Sequence, residues 1–321
     1  MKRREFAIVV LSGVFDTALA RAQQGGILYQ VGVLDPYAAA DDFNDQLRLA
    51  FTDAGLIDGR NVRFHWRYAD GDITRLPALA AELAGLKVAA IVGIGAPAIR
   101  AAQQATAVTP VIAGSDDLVS EGLVASLGRT SGMTTGWSIL ASELNTKRLE
   151  LLKSIVPTAT RIGVLWDPDT GASPLDALRH VAADLGIDIR IEEVRRAEDL
   201  DRAFAALTAW RAQAVNVLAS PLLHALRGAI IDRASRDRLP AIYQWGETAA
   251  AGGLMSYGPS HREVLHGMAR QLGRLLKGTT VGDIPVEQPT EFKLVVNMKT
   301  AKALGLTVPP SLLARADEVI E

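Results

Sequence analysis

Residues 91–106, IVGIGAPAIRAAQQAT, carry Gly93-x-Gly95-x-x-Ala98 where an apolar run ends and a helical pattern begins. That spacing is the loose form of a dinucleotide fingerprint, in which glycines let the backbone approach a pyrophosphate at a helix N-terminus. Asp116 follows at about the 20-residue interval expected of a ribose-binding acid. Pro97, however, has no backbone N–H and removes one donor from such a cradle, and the run is the third of its kind in the chain, not the first. The N–H groups of Ala96, Ala98 and Ile99 remain. They suit one small anion such as a carboxylate, worth about 0.3–1 kcal/mol and ~2 kcal/mol when partly buried. A turn that holds a small ligand ranks first, a turn shaped only for packing second, and a cofactor turn last.

Other chemistry is sparse. The chain has no cysteine, which removes disulfides, thiolate ligands and cysteine nucleophiles together. It has neither a G-x-S-x-G elbow nor a G-x-x-x-x-G-K-[ST] phosphate loop. The five histidines, His65, His180, His224, His261 and His266, are scattered. His261 and His266 fall on different faces of a helix, so no metal site is expected. No catalytic residue, cofactor or metal is assigned.

The elements that must position these residues alternate between two periods. Val/Ile-rich runs read as buried strands: ILYQVGVL, AAIVGI, PVIAG, RIGVLWD, AVNVLA, PAIYQW and FKLVVN. NVRFHWRY alternates more strictly and reads as a sheet-edge strand. Helical spacing occupies 41–54, 73–86, 97–106, 141–155, 174–185, 198–209, 222–236 and 260–277. Strands and helices taking turns predict parallel sheets covered by helices. ILYQVGVLDP (27–36) is echoed by RIGVLWDPDTGASP (161–174), and DAGLIDGRNVRFHWR (53–67) by DLGIDIRIEEV (184–194). Such an echo fits two similar α/β lobes. SGMTTGWSI, GGLMSYGP and VGDIPVEQPT read as three connections between them, forming a hinge over a cleft. Residues 27–138 plus about 256–283 are expected in lobe 1, and about 139–255 plus 284–321 in lobe 2.

Ligands of parallel sheets sit beyond the carboxyl ends of strands. That rule selects Tyr37, Gly95, Ala96, Asp116, Trp166, Ser220, Trp245 and Glu247, beside Asp35, Ser115, Asp167 and Pro221. Trp137, Ser138 and Tyr257, in two of the connections, are expected to line the same cleft. Only 5% of the residues are aromatic, yet three tryptophans fall at these edges, where flat side chains would sandwich a ligand body. Taken singly, each aromatic is better explained by core packing, and Asp116 or Glu247 just as readily by helix capping or as a solvated charge.

The charge balance, 34 basic against 36 acidic residues, points away from nucleic acid. Residues 1–22 begin with Lys2, Arg3 and Arg4, continue through an apolar stretch from Phe6 to Phe15, and end in small residues at Ala18, Ala20 and Ala22. This is the layout of an export signal. Arg3-Arg4 fits the twin-arginine route, although Asp16 is an unwelcome charge. The apolar stretch of about ten residues is too short to span a bilayer.

RREF…ARAQQ, DGRNVRFHWRYADGD, GAPAIRAAQQAT, PAIYQWGETAAAGGLMSYGP and FKLVVNMKTAKALGLTVPPSLLARADEVIE together resemble the substrate-binding proteins of ABC importers. The likeness is to the tryptophan/tyrosine-uptake type and covers essentially the whole chain. It implies a type I periplasmic-binding-protein fold of two Rossmann-like lobes with three hinge crossovers. It implies a periplasmic, monomeric protein that captures a small organic ligand, aromatic or amino-acid-like, delivers it to a membrane permease and performs no chemistry. Two positions depart from the family pattern: Ala96 stands where a hydroxyl often helps hold a carboxylate, and Asp117 where a proline is usual. The alternative reading is a nucleotide-dependent α/β enzyme using the Gly93–Ala98 turn.

Overall fold

The computed structural model describes residues 28–37, 42–128 and 132–321. The expected export segment, residues 1–22, lies outside the described residues. Two sheets organise the rest. The smaller has five parallel strands in the order β2-β1-β3-β4-β5: β1 (Tyr29–Asp35), β2 (Val62–Tyr68), β3 (Ala90–Ile94), β4 (Val111–Ser115) and β5 (Thr134–Ser138). The larger has seven, in the order β12-β11-β10-β9-β8-β6-β7: β6 (Arg161–Trp166), β7 (Asp188–Glu193), β8 (Ala214–Val217), β9 (Ala241–Tyr243), β10 (Met255–Pro259), β11 (Phe292–Asn297) and β12 (Glu318–Ile320). Only the β10–β11 pairing is antiparallel.

The order β7-β6-β8-β9-β10 repeats β2-β1-β3-β4-β5 strand for strand. The internal echo in the sequence therefore marks matching positions: β1 with β6, and β2 with β7. Each lobe has its own switch point, between β1 and β3 in one and between β6 and β8 in the other, where such a sheet opens a crevice.

The connecting helices follow the apolar periodicity. They are α1 (Asp42–Asp53), α2 (Leu76–Gly85), α3 (Gly95–Ala105), α4 (Ala141–Ile155), α5 (Ser173–Asp184), α6 (Asp199–Ala209), α7 (Pro221–Ala225), α8 (Arg227–Arg236), α9 (Gly246–Ala250), α10 (His261–Leu276), α11 (Met298–Ala303) and α12 (Pro310–Leu313). The single helix expected over 222–236 is two, broken at Leu226. The larger sheet is sandwiched between one cluster built on Leu149, Ile162, Val164 and Leu178 and another on Phe204, Leu207, Val215 and Ile230. The smaller has Leu83, Ile91 and Ile99 on one face. Its other face carries Leu47 and Phe51 of α1 together with Leu265 and Leu272 of α10.

Two expected connections are strands. Residues 134–138 are β5, the last strand of the smaller sheet, and residues 255–259 are β10, hydrogen-bonded within the larger one. The boundary expected near 256 is therefore a few residues early: the chain crosses at Ser260 and only then enters α10. The boundary expected at 284 is also early. Ser138 N–H donates to the Glu287 carbonyl at 3.0 Å and Glu287 N–H to that of Gly136 at 2.9 Å, which keeps residues up to 287 on the smaller sheet. The first crossing runs through Leu140, which holds a left-handed backbone (φ 60°, ψ 37°), a conformation that costs a side-chain-bearing residue about 1–2 kcal/mol.

Candidate ligand-binding site

A cavity of about 60 Å3, measured as the space open to the centre of a water-sized sphere, lies between the lobes, at the switch point of the smaller sheet and beyond the ends of β8 and β9 in the larger. That is several times the roughly 10–15 Å3 one water needs. From the smaller lobe, Asp35 ends β1 and Tyr37 follows it, Ile94 ends β3, and Ser115 ends β4 with Asp116 after it. From the larger lobe, Ser220 and Pro221 follow β8, and Gln244 and Trp245 follow β9. One face of α10 closes the side with His261, Val264, Leu265 and Met268, a helical i, i+3, i+4, i+7 stripe.

The lobes meet around this space. A Cβ added to Gly95 would fall 3.1 Å from Cγ of Pro221, so the start of α3 is capped by the opposite lobe. Trp245, from the larger lobe, packs in the core cluster of the smaller, while Tyr37, from the smaller lobe, packs against a cluster of the larger. Gly114 is glycine for a steric reason: a Cβ there would lie 2.6 Å from Sδ of Met268.

The rings form a connected set. Trp245 and His261 have centroids 4.4 Å apart and planes tilted by 31°, Phe43 lies 5.1 Å from His261, and His224 meets His261 edge-on at 5.4 Å. Contacts of this kind are worth about 0.5–1.5 kcal/mol each beyond the area they bury. Nδ1 of His261 lies 3.1 Å from Glu247 Oε1. Burial alone would raise the Glu247 carboxyl, but this hydrogen bond and the neighbouring imidazoles outweigh it and hold the group below its ordinary value.

Carboxylates dominate the polar wall. Burial pushes Asp116 up to about 6, opposed by the nearby Arg148 guanidinium. Asp167, just behind the wall, is also pushed to about 6 by burial, against hydrogen bonds from Ser220 and the Asp169 backbone. Burial drives the Tyr37 hydroxyl well above its usual value, and Asp167, Asp35, Asp169 and Asp116 push the same way. Both serine hydroxyls of the wall are engaged: Ser220 Oγ donates to Asp167 Oδ2 at 2.6 Å and accepts from Leu223 N–H, while Ser115 Oγ donates to Glu121. Arg148, wholly buried behind Asp116, donates through Nη1 to the Tyr257 carbonyl at 2.9 Å and through Nη2 to Asn145.

Of the residues selected from the sequence, Tyr37, Asp116, Ser220 and Trp245 line the cavity, as do Asp35, Ser115 and Pro221 named beside them. Gly95 and Ala96 sit beside it at the Pro221 contact, with Ala96 in the lobe core. Trp137 does not reach it, because its ring lies over Gly267 inside the core. Ser138 is taken up by the Leu118 N–H and the Glu287 carbonyl. Trp166 packs on the larger lobe's core and donates through Nε1 to the Gly171 carbonyl at 3.1 Å. Tyr257 packs against Phe292 between the two cores. Glu247 acts through His261 rather than at the wall. Phe43, His224, Gln244, His261 and Met268 were missed. The α10 stripe that starts at a crossing was the signal that could have found His261 and Met268.

Among the described residues no cluster of His, Cys, Asp or Glu could hold a metal ion. None of their helices is long and apolar enough to cross a membrane.

The family model described as ABC transporter substrate binding protein matches residues 37–320. A protein of Clostridioides difficile strain R20291 named tyrosine-binding protein is 26% identical over 260 residues, which cover 80% of this chain and 74% of that protein. The ABC domain from Streptococcus pneumoniae solved in complex with L-Trp superposes with a TM-score of 0.82 at 22% identity, covering 91% of this chain and all of that one. A conserved domain protein from Vibrio cholerae O1 biovar El Tor superposes at 0.84 with 24% identity, covering 91% and 99%.

Proposed function

The chain belongs to the family of ABC transporter substrate-binding proteins, and from that premise we propose that it works in the periplasm. There it captures one small organic ligand between its lobes and hands it, unaltered, to a membrane permease. The observation that carries this reading is the cavity itself, which is lined by strand ends of both lobes. A ligand that touches both lobes stabilises the closed form over the open one, which is the differential contact a hinge needs. Tyr37, Asp116, Ser220 and Trp245 are the residues we assign to ligand contact, with Phe43, Gln244, His261 and Met268 completing the wall.

The names of the tyrosine-binding relative and the L-Trp complex support a ligand with a ring-sized apolar body. The ring set around Trp245 supports the same conclusion. The export pattern of residues 1–22 supports the periplasmic location, and we assign a monomer. The nucleotide-dependent enzyme is the less favoured reading: Pro97 removes one N–H donor from the Gly93–Ala98 turn, and Pro221 of the other lobe lies 3.1 Å from where a Gly95 Cβ would be.

The test is a thermal-shift screen of the purified protein against aromatic acids, aromatic amines and amino acids, followed by calorimetry and recovery of the ligand. One-to-one binding with the compound returned unchanged supports the reading. Conversion of the compound, or binding of NAD alone, overturns it.

A further inference from the structure

The ligand's polar end can be deduced from what the cavity offers it. Among the described residues the wall contains two carboxylates, Asp35 and Asp116, and neither a lysine nor an arginine. Asp167 lies close behind, bonded to the wall residue Ser220. Arg148 is the nearby compensating cation, but it stands outside the wall with its guanidinium turned to the Tyr257 carbonyl and Asn145.

A ligand carboxylate would need donors or a cation, and most of the polar wall is already committed. Ser115 and Ser220 give their hydroxyl protons to Glu121 and Asp167. Gly95 and Ala96, which open α3, meet Pro221 of the opposite lobe and are not part of the wall. His261 is held by Glu247. Anionic groups in a water-poor space repel a further anion, and an ammonium brought next to them is favoured by the same electrostatics. The opposite wall, with Trp245 and Phe43, is apolar and aromatic, and an aromatic face also attracts a cation.

Resting on the receptor reading above, we propose that this cavity takes a small organic amine, an ammonium group on a ring-sized apolar body, and discriminates against the corresponding α-amino acid with its carboxylate. Asp35 and Asp116 receive the ammonium, and Trp245, Phe43 and Met268 enclose the body. Gln244, 6% exposed in the same wall, steadies the Asp116 carboxylate.

The experiment titrates the full-length protein by calorimetry with tryptamine and tyramine, and in parallel with L-tryptophan and L-tyrosine. Wild type is compared with Asp116→Asn and Asp35→Asn, and circular dichroism confirms that each variant is folded. The amines are expected to bind at least about tenfold more tightly than the amino acids, and each Asn variant to lose about tenfold or more of that affinity. Amino acids binding as tightly as the amines, or amine binding that both Asn variants retain, would overturn the proposal and leave the receptor reading standing. If neither class binds while another compound from a broad panel does, the proposal falls alone. If nothing binds, the receptor reading falls with it.

Discussion

Tyr37 and Trp245 are exchanged across the cleft. Tyr37 leaves the smaller lobe to pack against the larger, while Trp245 leaves the larger lobe to pack in the smaller. Both residues also line the cavity, so a ligand held there as proposed would gain its walls as the lobes close. Trp245→Ala removes a wall and an inter-lobe contact together. We expect ligand affinity to fall by about tenfold or more, the equivalent of roughly 1.4 kcal/mol, with a folded far-ultraviolet spectrum. Calorimetry against any compound that binds wild type checks this, and unchanged affinity would mean that the ligand sits elsewhere.

Gly95 tests closure separately from folding. Gly95→Val imposes a side chain on a left-handed backbone (φ 74°) and drives it towards Pro221 of the other lobe. Gly55→Val is the matched control, because Gly55 has a similar φ of 79° and nothing within 4 Å of its added Cβ. Both variants should lose about 1–2 kcal/mol of stability. Only Gly95→Val should weaken ligand binding, since apparent affinity scales with the closed fraction. Small-angle scattering should report a larger radius for that variant alone. Equal affinities in the two variants would contradict the closed geometry.

Glu121 should give the protein a marked pH dependence. Burial pushes its carboxyl from 4.5 up to about 8, helped by the charge of Asp116 and opposed by the Ser115 hydrogen bond, with Asp117 and the Arg100 guanidinium also close by. The folded chain thus binds this proton more tightly than the unfolded chain does. The associated stability is whole below about 4.5 and is lost as the pH rises towards 8. Glu121→Gln keeps the neutral shape and can still accept from Ser115. It should match wild type near the acid end and exceed it near pH 8, in melts run across that range. Parallel curves would show that Glu121 ionises freely in the folded protein.

Arg148 joins two of the hinge elements, because it sits on α4 just after the first crossing and bonds β10 just before the second. Burial pulls its guanidinium down to about 10, against the pull of Asp116 and Tyr257. Arg148→Met leaves the Tyr257 carbonyl and Asp116 without that partner. It should cost about 3–5 kcal/mol, the usual loss when one member of a buried charged pair is removed, read from the urea midpoint. A loss within experimental error would mean that water or Asn145 satisfies both groups.

The fold was legible wherever an apolar run had to be buried on both faces, as in β1, β3, β4, β6 and β8. β5 and β10 were read as connections because TTGWS and MSYGP lack such a run. Neighbours in the sheet, not local sequence, make them strands. The rule that ligands sit at strand ends led to Tyr37, Asp116, Ser220 and Trp245, all residues whose position follows from the strand before them. It could not reach Phe43 or Met268, which arrive on helices from elsewhere in the chain. Nor could it separate Trp245 from Trp137 and Trp166. A tryptophan after a strand looks the same whether its ring turns to the cleft or, as over Gly267, into the core.

The most direct test of the central claim is equilibrium dialysis of the full-length protein against a mixture of small amines and amino acids, with bound compounds identified by mass spectrometry. Wild type is expected to hold one compound at one per chain and release it chemically unchanged on unfolding, and both Trp245→Ala and Asp116→Asn to hold markedly less of it. A compound that emerges altered, or that both variants retain as fully as wild type, would contradict that claim.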